Sequence, residues 1–347
     1  MNETGNRSGF LRRNVIVMGA SAGGLEPLQL TLAALPADLD AAIFVVLHIG
    51  ATSYLAEILD RTSALPVRQA VSGAPIEFGQ IYVAVPGVHL LVHGSHLLLR
   101  RGPRENLARP AIDPLFRSAA ATFDARVIGV ILSGVLNDGA AGSRAVKQCG
   151  GMIVVQDPAD AAYPEMPNGA LRYCQADHVV PAAELGALLT RLAREPAGPT
   201  PPIEFSIRLE AAIAAQELVG MDVDDKLGQP SRFTCPECHG ALWEIDDGAL
   251  LRYRCHVGHA FTAESMLAAQ AAQTEELLWS LMRAHQERAA LTRRMSERER
   301  ALNRPELARH LDARATGYEE DAKVIRDLLR NHDPADTETS ADEGSRS

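Results

Sequence analysis

The chain has no run of apolar residues approaching the roughly 18 that a membrane-spanning helix requires, so it is not expected to insert into a bilayer. Its first 13 residues lack the apolar core of a signal peptide and read as a disordered leader. Positive charge is in deficit: 34 Lys and Arg stand against 44 Asp and Glu, a formal net charge of -10. That balance argues against a general nucleic-acid binder, whose surface would be basic. Cysteine is scarce, and three of the five crowd between residues 235 and 255. Such clustering points to metal binding and not to a disulfide framework. No internal repeat is present. A cytoplasmic protein without nucleic-acid partners is the expectation these absences leave.

What is there begins with Val15-Ile16-Val17-Met18, a buried strand by composition, running into Gly19-Ala20-Ser21-Ala22-Gly23-Gly24. A helical pattern follows over 25–35, with Leu25, Leu28, Leu32 and Leu35 on one face. Between a parallel strand and a helix N-terminus, a Gly-rich turn aims backbone N–H groups at negative charge. It can cradle a phosphate, or it can set a nucleophilic serine beside an oxyanion hole, as the Gly-x-Ser-x-Gly spacing suggests.

From 14 to 195, apolar strands alternate with helical patterns, which predicts an α/β fold with a doubly wound, largely parallel, Rossmann-like sheet. Strands are expected at 41–47, 81–85, 127–132, 152–155 and 178–180, and a hairpin turns at Gly94-Ser95. Prolines 196, 199, 201 and 202 then mark a stiff linker. In the bridging segment to 227, Ile203, Phe205, Ile207 and Leu209 alternate like a strand before an Ala-rich helix. A compact zinc-type module is expected over 228–261. Thr262 reads as the N-cap of a long helix carrying Leu277, Leu281, Ala284, Leu291 and Met295 at spacings of three, four and seven. Residues 303–305 break it, and a second helix completes a helical region over 262–332. The pair should form an antiparallel hairpin or pack on a partner. The acidic tail, 333–347, should be disordered.

Three polar residues fall at the carboxyl ends of predicted strands, where open parallel sheets bind ligands. They are Ser21, His48 and Asp138. Serine, histidine and an acid suffice for acyl transfer to water, with the N–H groups of the turn (Gly19, Ala22, Gly23, Gly24) stabilising the oxyanion. Each has a plainer reading: Ser21 as a helix N-cap, His48 as a strand-end residue, Asp138 as a turn former beside Gly139. A dinucleotide site is disfavoured, because Gly-x-Gly-x-x-Gly is missing and the second strand ends in His48 where an acid is wanted. The α/β-hydrolase order of serine, acid, histidine is not met either.

Six segments in order, Gly19–Gly24, Val45–His48, Tyr82–Gly87 with His89-Leu90, Asp113–Ala120, Leu132–Gly139 and Met166-Pro167, resemble the catalytic domain of the chemotaxis protein-glutamate methylesterases (CheB type). The resemblance implies hydrolysis of glutamate γ-methyl esters on cytoplasmic chemoreceptor helices, with glutamine deamidation in some members, and needs no catalytic cofactor. It puts the nucleophile on Ser21, the base on His48 and the aspartate on Asp138. Two departures stand out. Ala22 replaces the usual threonine, and Gly134-Val135-Leu136 replaces glycine-methionine-glycine. They keep alive a second reading, a weak or inactive scaffold that binds receptors or signalling partners.

Cys235-Pro236-Glu237-Cys238 and Cys255-His256-Val257-Gly258-His259 lie sixteen residues apart. Two such pairs can surround one structural zinc, with Cys235, Cys238, Cys255 and His259 as ligands; His256 and His239 are rival fourth ligands. Cys149 and Cys174 fall outside the pattern and read as buried thiols. Arg100, Arg101, Arg104 and Arg109 form either a receptor-facing basic patch or a solvated loop. A homodimer or a signalling partner could use the C-terminal helices.

Overall fold

The structure is a computed structural model that describes residues 11–48, 54–217 and 228–331. The expected acidic tail, most of the leader and the end of the bridging segment lie outside the described residues. Strands and helices alternate from the start. They are β1 (Val15–Ala20), α1 (Leu25–Ala33), β2 (Ala42–Leu47), α2 (Leu55–Asp60), β3 (Val67–Gln69), β4 (Gln80–Val83), the β5–β6 hairpin (His89–His93, His96–Arg100), α3 (Ile112–Phe123), β7 (Val127–Ile131), α4 (Ala140–Gln148), β8 (Met152–Gln156), α5 (Glu165–Tyr173), β9 (His178–Val180) and α6 (Ala182–Arg194). Seven strands form one sheet in the order β3-β4-β2-β1-β7-β8-β9, and every pairing is parallel.

Both faces of that sheet are covered, which is why its strands read as continuous apolar runs. Ile16 and Met18 of β1 pack with α1, α2 and α6 through Leu28, Leu59 and Leu189. Val15 and Val17 face the opposite layer, where Phe116 of α3, Val146 of α4 and the hairpin's Leu90 lie. After β1 the chain lays down β2, then the edge strand β3, inserts β4 between them, and returns to place β7 on the other side of β1. The crevice at this reversal of strand order is where a parallel sheet receives ligands.

Two expectations fail nearby. Leader residues 11–13 are tied down: Arg13 N–H donates to Glu195 O at 3.1 Å, and Ala197 N–H to Leu11 O at 2.6 Å. Residues 205–214 form a helix, α7 (Phe205–Ala214), where alternation suggested a strand. Four alternating residues are too few to fix a period. The alanines favour helix, and the 207/210 spacing buries Ile207 and Glu210 together.

Beyond it a four-stranded antiparallel ribbon runs β10 (Gly228–Thr234), β11 (Ala241–Asp247), β12 (Leu250–Cys255), β13 (Ala260–Thr262). The first compact unit extends to Met266 and includes this ribbon. A buried charge cluster joins α3, α7, the 101–111 loop and β12. Glu105 meets Arg117 at 3.3 Å and Arg254 at 2.9 Å, while Glu210 meets Arg252 at 2.5 Å and Arg254 at 3.2 Å.

The second unit, from Leu267 on, is a helical hairpin of α8 (Ala263–Ala301) and α9 (Pro305–Asn331). Its seam is not the leucine row. Leu277, Leu281, Leu291 and Met295 are exposed, and Leu278 and Met282 meet Ala322, Ile325 and Leu329 instead. Ala289, Ser296, Ala308 and Ala315 are buried, and Ser296 Oγ donates to Ala308 O at 3.0 Å. Small side chains let the helices approach closely, so the larger ones stay outside. No described helix is long and apolar enough to cross a membrane.

Burial alone would raise the Glu105 carboxyl, but Arg117 and Arg254 pull it down to about 2. A carboxylate depressed from 4.5 contributes stability that is complete above 4.5 and lost as pH falls towards 2. Glu105→Gln leaves two buried guanidinium groups short of a partner, which should cost about 3–5 kcal/mol. Urea unfolding should show this loss at pH 7, together with a shallower decline than wild type on acidification below 4.5.

Candidate active site

Three loops meet at the crevice. After β1, Ser21 opens a turn that reaches the N-cap of α1 at Gly24. Gly23 has φ +67°, a conformation open to glycine at little cost. Ser133, just beyond β7, staples this turn: its carbonyl accepts from Ser21 N–H at 2.9 Å, and its Oγ donates to Ala22 O at 2.9 Å. Gly134 beside it has no room for a side chain, since a Cβ there would lie 2.1 Å from Met166 Sδ and 2.8 Å from Ser21 Cβ.

His48 follows β2, with its ring between the other two residues. Nδ1 is 3.2 Å from Ser21 Oγ and Nε2 is 2.9 Å from Asp138 Oδ2. A carboxylate only accepts, so Asp138 places the ring proton on Nε2 and leaves Nδ1 free to take a proton from the serine. His48 is partly open to solvent (19% of its side chain) and Asp138 is closed off (2%).

Asp138 is saturated with donors. Oδ2 also accepts from Ile112 N–H at 2.7 Å, and Oδ1 accepts from Asn106 Nδ2, Asp113 N–H and Gly139 N–H at 3.0–3.2 Å. Ile112 and Asp113 supply the first two N–H groups of α3, so the aspartate caps that helix from outside and lies at the positive end of its dipole. Burial would raise its pKa, but the hydrogen bond and charge of His48, then Ile112 and Asn106, hold it below the ordinary 3.8. Burial and the Asp138 charge push the neighbouring Asp113 up to about 7. The two carboxyl groups share Asn106 Nδ2 and take opposite protonation states in mildly acidic solution.

Not every expected turn residue keeps its place. Gly19 lies inside β1, paired to β2 and β7, and is no part of the turn. Gly24 N–H donates back to Ser21 O at 3.0 Å. Ala22 and Gly23 remain as the N–H groups the turn can offer an oxyanion. Beside His48, residues 104 and 106–110 line a cavity of about 460 Å³. Asn106, Ser133 and Gln156, whose Oε1 accepts from Ser133 N–H at 2.9 Å, carried no sequence signal. Only contacts across the fold reveal them.

A serine, a histidine and an aspartate joined in one chain of hydrogen bonds at a sheet crevice can perform acyl transfer. Comparison with known proteins agrees. Residues 16–189 match the profile of the CheB methylesterase family. The chain belongs to this family. A protein-glutamate methylesterase/protein-glutamine glutaminase of Anaeromyxobacter dehalogenans is 39% identical over 185 residues, 53% of this chain and 54% of its own. A relative from Leptospira interrogans, named provisionally for the same two activities, is 37% identical over 180 residues, 51% of this chain and 93% of its own. The crystal structure of the Thermotoga maritima CheB methylesterase catalytic domain superposes with a TM-score of 0.50 at 32% identity, covering 52% of this chain and 98% of that one. The chain thus spans nearly all of some relatives and about half the length of others.

At the second family departure, Val135 is exposed and Leu136 adopts φ +60°. Met166, from α5, packs against Gly134 and brings a thioether to this loop from another element. Two of the four arginines turn to backbone carbonyls, while Arg101 and Arg104 are exposed. Arg100 Nε donates to Ala215 O at 2.9 Å, Arg109 Nη1 to Gly102 O at 2.6 Å, and Arg104 lies 4.0 Å from Glu237. Cys149 and Cys174 are buried, and burial pushes both thiols up to about 11.

A second cluster stands in the ribbon. Ligand atoms of Cys235, Cys238, Cys255 and His259 lie within 4.8 Å of one another. Cys238 and Cys255 sulfurs are 3.5 Å apart, and His259 Nδ1 is 3.5 and 3.8 Å from the Cys255 and Cys235 sulfurs. A tetrahedron with metal–sulfur bonds of about 2.3 Å has edges of about 3.8 Å, so the cluster fits one ion. His259 Nε2 lies 3.2 Å from Glu237 Oε2, a carboxylate partner of the kind that orients a ligating imidazole. The rival histidines are elsewhere: the His256 ring lies tilted against Trp243, with centroids 4.0 Å apart, and His239 is exposed.

Asp138→Asn keeps the shape but reverses two of the four lone-pair sites that the donors require. Labelling of Ser21 by a fluorophosphonate should then slow by a factor on the order of 10⁴, read as a second-order rate by intact-protein mass spectrometry.

Proposed function

We propose that this chain is a protein-glutamate methylesterase acting on methylated chemoreceptor helices in the cytoplasm, with glutamine deamidation as a second activity. One observation carries the reading: the unbroken chain from Ser21 Oγ through His48 to Asp138 lies within the segment that matches the family. Ser21 Oγ attacks the ester carbonyl as His48 Nδ1 takes its proton. The tetrahedral oxyanion is met by the N–H groups of Ala22 and Gly23. Collapse breaks the bond to methoxide, which leaves as methanol with the proton from His48. Water, deprotonated by the same imidazole, then releases the glutamate carboxylate and restores Ser21. With a glutamine side chain the same steps release ammonia. Asp138 keeps the imidazole in its working tautomer and stabilises the imidazolium in both halves.

We propose further that the ribbon binds one zinc through Cys235, Cys238, Cys255 and His259. Three thiolates and one imidazole form a closed set with no position for substrate, so the metal's contribution is structural. A ribbon this small has little core of its own, and ligation would supply much of its folding energy.

Methanol release from methylated receptor fragments should be lost in Ser21→Ala by a factor on the order of 10⁶. A wild-type protein that binds the fragments and releases no methanol would support the scaffold reading instead. Elemental analysis should find about one zinc per chain. Cys235→Ala and Cys255→Ala should each abolish it, and zinc retained in both would remove the assignment.

A further inference from the structure

The ribbon does more than sit beside the catalytic domain. Its last strand, β13, starts immediately after His259 and runs along the loop that carries Asn106. Ala260 N–H donates to Arg104 O at 3.3 Å, and Asn106 N–H donates to Ala260 O at 2.8 Å. The side chain of Asn106 spans the gap between ribbon and triad. Its Oδ1 accepts from Thr262 N–H and from Ser265 Oγ, both at 3.0 Å. Its Nδ2 donates to Asp138 Oδ1 at 3.0 Å and to Asp113 Oδ2 at 2.8 Å. With Oδ1 committed to two donors and Nδ2 to two carboxylates, the amide has one workable orientation.

A second link runs in parallel. Thr262 Oγ1 donates to Asn137 Oδ1 at 2.6 Å, and Asn137 Nδ2 donates to Glu264 Oε2 at 2.9 Å. The residue preceding Asp138 in sequence is therefore held from the same strand end. The loop also needs this support for its own shape. Asn106 and Leu107 lie at φ +49° and +66°, a region costly for a leucine, which persists only where surrounding contacts enforce it. This loop lines the cavity beside His48.

Resting on the reading of Ser21, His48 and Asp138 as the catalytic triad, we propose that Asn106 is a positioning residue through which the metal-holding ribbon sets the geometry of Asp138. Cys255 and His259 bracket the knuckle that delivers β13: Cys255 N–H donates to His259 O at 3.0 Å. Filling the four-ligand site fixes where β13 begins. β13 then fixes Asn106, and Asn106 fixes the carboxylate that orients His48.

The test uses the full chain in its zinc-loaded form. It reads zinc content, kcat and KM for methanol release, fluorophosphonate labelling of Ser21, and hydrogen–deuterium exchange over 104–110 and 136–139. Asn106→Ala should retain zinc and bind receptor fragments with KM little changed, while kcat and the labelling rate fall about a hundredfold, the size of a small misplacement of a reacting group. Chelating zinc from the wild type should slow labelling by a similar factor and speed exchange in both segments, with added zinc restoring them. In Asn106→Ala, chelation should add little, because the two changes act on one path. Ser265→Ala, which removes the side-chain donor to Asn106 Oδ1 one step further from Asp138, should show a smaller loss in the same direction and guards against misfolding of the alanine variant. Wild-type labelling that is indifferent to zinc and to Asn106 overturns the proposal alone. A zinc-loaded wild type that neither labels at Ser21 nor releases methanol overturns the triad reading, and the proposal with it.

Discussion

The carboxylate of Asp138 is the point on which the rest of the crevice depends. It is closed to solvent, charged and held by five hydrogen bonds from four places in the chain. A buried carboxylate survives only if its lone pairs are filled. Filling them requires α3 to begin where it does, the 101–111 loop to turn as it does, and β2 to end in a histidine. The cost of burying one charge thereby becomes a constraint on three elements, and that constraint sets the position of the imidazole.

The same logic extends outward in layers. Ser133 holds the Ser21 turn through its carbonyl and hydroxyl, and Gln156 holds Ser133. On the other side Asn106 ties Asp138 to Thr262 and Ser265, which fill each other's polar groups at the start of α8: Thr262 N–H donates to Ser265 Oγ at 2.9 Å, and Ser265 N–H to Thr262 Oγ1 at 3.2 Å. This is a reciprocal cap in which serine stands where glutamate is commoner. Beneath it the Glu105, Glu210, Arg117, Arg252 and Arg254 cluster joins the ribbon to the sheet domain. Such a cluster adds little net stability over an apolar core, but it tolerates few alternative registers. It fixes which ribbon edge meets the 101–111 loop.

How much of this was legible beforehand follows from the range of the interactions. The parallel sheet was visible because strands buried on both faces are apolar throughout. Ser21, His48 and Asp138 stood out because each follows such a strand. His259 had His256 and His239 as rivals on spacing, and its place beside the cysteine sulfurs separates it from them, with His256 against Trp243 and His239 exposed. The second helix face misled because leucines draw attention. The seam of α8 and α9 sets alanines and a serine beside Leu278, Met282, Ile325 and Leu329, and the small residues carry little periodic hydrophobic signal. Asn106, Ser133 and Gln156 were invisible for a related reason: a lone amide or hydroxyl has no pattern until its partners, as far as 159 residues away, are known.

Asp113 brings out a last consequence of burying charge at this site. Two carboxyl groups bridged by one amide nitrogen cannot both ionise cheaply, and burial with the Asp138 charge raises Asp113 despite the pull of Arg117 and Arg252. Asp138 faces His48 and the α3 N-terminus and stays charged. Asp113 accepts from Gly142 N–H and Asn106 Nδ2 and is pushed up to about 7. A folded pKa above the unfolded 3.8 means the native state holds a proton that the unfolded chain has lost between pH 4 and 7. This group therefore opposes folding increasingly across that window and levels off above it. Glu105 acts in the opposite sense below pH 4.5. As pH rises past this value the crevice holds two adjacent carboxylates on one asparagine. The four hydrogen bonds of that asparagine keep the pair apart and leave Asp138 with the imidazole.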